Sequence, residues 1–152
     1  DHRKAIELDS ENALAYNNLA SAYYDLKFYQ EAVSNYREAL KLEPDNSEFD
    51  NNLKGTLNKL NQIKKALEAG SLPEHLKEYT IPYVLDLCFG RYDEAISELD
   101  KAIKANPQDS DFYFNRALIY IVRNQMKQAE EDLRRAYEFS PYEENREYIK
   151  NI

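Results

Sequence analysis

The chain holds no tryptophan, one cysteine, one methionine, two histidines and three glycines in 152 residues. A single thiol, Cys88, excludes an internal disulfide framework and suits a reducing compartment, so a cytoplasmic location is expected. No apolar run approaches the ~20 residues of a membrane span: Leu118–Val122 and Leu87–Phe89 are far too short, and no direct membrane insertion is expected. Basic charge is also short. Twenty Lys and Arg face 28 Asp and Glu, and the net charge of −8 divides evenly between the halves. A chain without a basic patch lacks the electrostatic footprint of a nucleic-acid binder. Chemistry is equally thin. There is no H-E-x-x-H, no cysteine pair, no phosphate-binding glycine loop and no G-x-S-x-G, so no catalytic residues, cofactor or metal are expected. Glu74, His75 and Glu78 read as an exposed cluster at a helix start, and Cys88 as a small buried hydrophobe.

What is present is a period. Pro73, Pro107 and Pro141 lie 34 residues apart, as do Ala32 and Ala66, and Ala95 and Ala129. A fixed spacing of this size marks one supersecondary unit stacked several times. Between the prolines helix formers dominate, which predicts an all-α fold. Tyr16, Leu19, Ala20, Tyr23 and Leu26 carry helical spacing over 14–26, and Tyr29, Ala32, Val33, Tyr36, Ala39 and Leu40 repeat it over 29–42. The linker is only about Lys27–Phe28, so the two helices must fold back antiparallel. Pro44-Asp45-Asn46-Ser47 ends that hairpin and caps the next helix, and Pro107-Gln108-Asp109-Ser110 does the same later.

The order Tyr16, Leu19, Ala20, Tyr23, then Ala32, Tyr36, Ala39 and Pro44 resembles the tetratricopeptide repeat, with Tyr for its opening Trp and Ala for its Gly. Gly90 to Pro107 resembles the second half of the unit, through Tyr92, Ala95, Leu99 and Ala102. Tyr113, Ala117, Tyr120, Ala129, Leu133, Ala136 and Pro141 give another full unit. The resemblance implies a right-handed superhelix of helical hairpins. It divides the chain into a partial repeat (1–10), a repeat (13–46), a shortened irregular repeat (47–75), a repeat with a Pro-interrupted first helix (76–109), a repeat (110–143) and the start of a terminal helix (144–152).

The middle departs from the pattern. Ala66 to Ala95 and Pro44 to Pro73 are each 29 residues, five short. The unit from Ser47 is expected to hold a first helix and a short second one, roughly 62–69, and Pro82 predicts a break near Ile81. The deficit is either a compression of the array or a loop missing from the sequence. Asp1 is not an initiator Met, so the chain reads as a fragment whose parent continues upstream, or one whose uncapped end packs on another copy.

In the family that the chain resembles, first helices line a concave groove for a peptide or protein segment. Carried over, that groove presents Asn17, Ser21 and Tyr24, then Asn51, Gly55 and Asn58. It continues with Lys77, Thr80 and Val84, and ends on the apolar Phe114, Leu118 and Ile121. Asparagine offers a donor and an acceptor to an extended backbone. A subgroup that clamps the acidic tails of heat-shock chaperones uses Lys-x3-Asn, Asn and Lys-x3-Arg. Here Asn17 and Ser21 stand at the first pair, only Asn52 and Lys77 match, and Ile81 follows Lys77, which argues against that specificity. The expected function is a non-catalytic protein-interaction module. The alternatives are an assembly element, self-associating through its uncapped ends, or the repeat region of a larger enzyme.

Overall fold

The computed structural model describes residues 12–141, together with the side chains of all of these except Tyr79 and Thr80. The helices expected within 1–10 and 144–152 lie outside the described residues. Those described form seven α-helices and one 3-10 segment, without a strand, as the sequence predicts. They fall into two compact units that divide between Arg91 and Tyr92, inside the stretch 76–109.

In the first unit α1 (Ala13–Asp25) and α2 (Tyr29–Leu42) form an antiparallel hairpin. Ala20 and Ala32 are fully buried and let the two helices approach closely, while Tyr23, Tyr29 and Tyr36 fill the remaining space. Asn12 caps α1 by accepting from the Ala15 amide at 2.9 Å. The turn that reverses the chain is a Schellman motif: the Lys27 amide donates to Tyr24 O and the Phe28 amide to Tyr23 O, with Lys27 left-handed at φ 68°. Pro44 then prevents continuation of α2, and Glu43 before it has already left the helical region, at φ −129° and ψ 78°.

The next element differs from expectation. Where two helices with a turn between them were predicted, the chain forms one helix, α3 (Ser47–Glu68), of 22 residues. Asn46 caps it by accepting from the Glu48 and Phe49 amides. No proline and no left-handed residue falls between 57 and 62, so nothing interrupts the ladder. Leu60 and Ile63 simply continue the buried stripe that Phe49 and Thr56 begin. Termination comes at Gly70 (φ 68°), where the Ser71 amide reaches back to Ala66 O.

A 3-10 segment (Glu74–Thr80) and a short α4 (Pro82–Cys88) follow. They meet at Ile81, which is extended, with Pro82 at the first position of α4, where its missing amide costs nothing. This is the predicted break. Leu76 and Cys88 return from these segments to pack against Tyr29, Val33, Leu60 and Ile63, which makes the main core of the unit.

The second unit contains α5 (Tyr92–Ala105), α6 (Ser110–Val122) and α7 (Met126–Phe139). Asp109 caps α6 by accepting from the Asp111 amide, and Asn124, left-handed at φ 58°, turns α6 into α7. Ala95, Leu99, Ala117, Ile119, Ala129 and Ala136 form its buried spine. Arg116 ties the three helices together. Its Nε and Nη2 donate to the two oxygens of Asp132, both at 2.7 Å, and Nη1 donates to Asp100 at 2.5 Å. The Asp132 side chain is only 5% exposed, so this fork is its compensation for burial. These hydrogen bonds also hold the Arg116 guanidinium more firmly protonated than an ordinary arginine, against the opposing effect of its burial.

Candidate functional site

The candidate site is a pocket of about 300 Å³ within the first unit. α1 contributes Ser21, Tyr24 and Asp25, α2 contributes Tyr36, and α3 contributes Asn51, Asn52, Gly55 and Thr56. Ser21, Tyr24, Asn51 and Gly55 are groove candidates that line the pocket. Asp25, Tyr36, Asn52 and Thr56 were not among the groove candidates. Tyr36 belongs to a second helix and reads from sequence as core filler, yet its ring is long enough for the hydroxyl to emerge between α1 and α3.

Three of the four hydroxyl protons at this site, all but that of Tyr24, are committed. Ser21 Oγ donates to Asn17 O at 3.1 Å, so the 3.0 Å contact with Tyr36 is donated by the Tyr36 hydroxyl. Thr56, fully buried, donates to Asn52 O at 2.9 Å. Burial raises the Tyr36 pKa, with the nearby Asp25 charge adding to it and the Ser21 hydrogen bond opposing it.

Gly55 opens the floor. It sits within α3, and a methyl group built on it meets no atom within 4 Å. Neither packing nor backbone conformation requires glycine there, although a mid-helix glycine costs about 1 kcal/mol relative to alanine.

Other expected groove residues sit elsewhere. Asn17 is 3% exposed, and its Oδ1 accepts from Asn52 Nδ2 at 3.1 Å; it braces α1 against α3 behind the pocket and does not line it. Asn58 is exposed on α3 and outside the pocket. Lys77 is paired with Glu74 on the 3-10 segment, and Val84 packs against the core cluster. Thr80 has its side chain outside the described ones. Phe114, Leu118 and Ile121 share one half-buried face of α6 in the second unit. Among the described residues no group of three or more His, Cys, Asp or Glu side chains is placed to hold a metal ion. Nor is any described helix long and apolar enough to cross a membrane.

Antiparallel helix pairs with alanine at their closest approach, closed by left-handed turns and by prolines, define a helical-repeat protein. Two family models, both described as tetratricopeptide repeat, match residues 13–46 and 89–144, which together make up more than half of the chain. The chain belongs to the tetratricopeptide repeat family. It is 37% identical over 78 residues, 51% of its length, to Hsp70-Hsp90 organizing protein 3 of Arabidopsis thaliana. Over 117 residues, 77% of its length, it is 30% identical to DnaJ homolog subfamily C member 3 of Gallus gallus. It spans only 13% and 20% of those two relatives. A solved structure described as YrrB, a TPR protein with an unusual peptide-binding site, aligns with 99% of this chain and 80% of its own at 27% identity, with a TM-score of 0.44.

Proposed function

We propose that this segment is a non-catalytic protein-interaction module that takes an extended peptide across the pocket between α1 and α3. The observation that carries the reading is the open floor at Gly55, set among polar groups that fold-internal hydrogen bonds have already oriented. Preorganised donors and acceptors lower the ordering cost that a peptide must offset on binding. Asn51, whose side chain makes no hydrogen bond to a described residue, supplies a donor and an acceptor at the rim for a peptide backbone.

The test is a selection of short random displayed peptides against the immobilised chain, repeated with Gly55→Leu. Peptides should bind the parent chain and lose about tenfold or more in affinity for the variant, whose melting should stay within a few degrees of the parent. Peptides that bind both chains equally would move the site away from this pocket. A selection that yields no binder would overturn peptide recognition.

A further inference from the structure

We propose that the pocket accepts a lysine or arginine side chain of the bound peptide, an inference that rests on the peptide-binding reading above. It follows from a count of donors and acceptors. Ser21, Tyr36 and Thr56 have each spent their proton on a protein acceptor, so the cavity meets only their lone pairs. One Asn52 N–H is spent on Asn17. The donors left are the Asn51 amide, the second Asn52 N–H and the rotatable Tyr24 hydroxyl. Against them stand the same groups' oxygens, the three hydroxyl oxygens and the full carboxylate of Asp25. A site with surplus acceptors and a carboxylate suits an ammonium or guanidinium, which have donors only.

Charge points the same way. No Lys, Arg or His lines the pocket, and among the described residues none forms an ion pair with Asp25. Asp25 is exposed at the mouth, at the last position of α1, where the negative end of the helix dipole adds to its field. The Tyr24 and Tyr36 rings supply walls along which the aliphatic stem of a basic side chain can lie. A peptide carboxylate would meet the opposite: an acidic mouth and no cation.

The experiment uses the peptides selected above. Each Lys and Arg is replaced in turn by Gln, and binding to the parent chain, Asp25→Asn and Asp25→Lys is followed by fluorescence anisotropy. One basic position should dominate, its neutralisation weakening binding about tenfold. Asp25→Asn should weaken the unmodified peptide about threefold and Asp25→Lys about tenfold, with smaller effects at high salt. Because the Asp25 side chain is exposed and makes no hydrogen bond to a described residue, neither variant should melt below the parent, and Asp25→Lys, favourable at the helix C-terminus, should melt slightly above it. Selected peptides without a basic residue, or indifferent to its loss, would overturn the inference, as would unchanged affinity for Asp25→Lys. In those cases Gly55→Leu would still abolish binding, and peptide recognition would stand. If no peptide binds at all, both proposals fall.

Discussion

Four residues end helices in the left-handed region: Lys27, Gly70, Gly90 and Asn124, all with φ between 58° and 68°. In each case the next residue's amide closes the same 6→1 bond, so the backbone geometry is common and the side-chain cost is not. Lysine there pays about 1–2 kcal/mol in Cβ crowding, less what glycine would lose in chain entropy. Lys27→Gly should therefore stabilise the chain by roughly 0.5–1 kcal/mol, despite loss of the exposed pair with Glu78, and urea denaturation would read it. Asn124→Gly should change stability by only a few tenths of a kcal/mol, because asparagine tolerates this conformation. Equal gains at both positions would mean that crowding at the turn is not the controlling cost.

Helix ends along the chain are of two kinds. α1, α3, α4 and α6 stop at left-handed residues, whereas α2, α5 and α7 stop shortly before a proline or an Asn-Pro step. By its terminator α3 is a first helix whose stop signal has been delayed. Gln62→Pro discriminates directly. At the start of a separate second helix a proline would be harmless, but inside one continuous helix it should cost about 3 kcal/mol or more, read as a lower urea midpoint. The Arg116 fork makes a second element-level prediction. Arg116→Ala should destabilise the chain by about 3 kcal/mol, because it strands the buried Asp132 carboxylate. Replacing Arg116 and Asp132 together by Met and Leu should recover much of that loss, and hydrogen exchange in α6 and α7 would follow both.

These elements also show how far the residues alone could lead. Helices 14–26 and 29–42 were legible because apolar spacing and terminators agree there. α3 was not, because Leu53, Leu57, Leu60, Ile63 and Ala66 keep one unbroken helical stripe; the turn expected within it came from the repeat template and from no breaker residue. The same holds at the site. Register alone puts Ser21, Tyr24, Asn51 and Gly55 on the helix faces that line the pocket. It could not show that Asn52, 35 residues away, occupies the amide oxygen of Asn17, nor that Asp132 meets Arg116, since side-chain partnership depends on helix separations that no single helix encodes.

At the scale of the molecule, alkaline pH is the condition to which the fold should be most sensitive. Burial pushes the Cys88 thiol up from 9.0 to about 12, and burial likewise raises Tyr36 and Tyr120 above the usual tyrosine value. A raised acid is stabilising while protonated. That contribution is complete below pH 9 and is lost as pH climbs from about 9 towards about 12. Each proton lost also adds to a net charge that is already −8. Thermal melts should therefore be flat from neutrality to about pH 9 and fall steeply above it, with thiolate absorbance appearing only as helicity is lost. A thiolate signal that precedes unfolding would show Cys88 to be less enclosed than its position among Tyr29, Ile63 and Leu76 implies. Light scattering over a concentration series belongs to this scale too. A peptide-binding module should hold the mass of one 17.9 kDa chain, and growth with concentration would favour the assembly alternative.

The length of α3 has a geometric consequence. It has nine residues more than the 13-residue α1, which amounts to two and a half turns and about 13–14 Å of rise. The half turn matters most. The chain leaves α3 half a turn out of phase with the exit of a 13-residue first helix. Leu72 just ahead of the 3-10 segment, Leu76 within it and Cys88 at the end of α4 then join the cluster that Tyr29, Val33, Leu60 and Ile63 build. The missing turn has thus become one long helix, after which the chain returns to the core that α2 and α3 have begun.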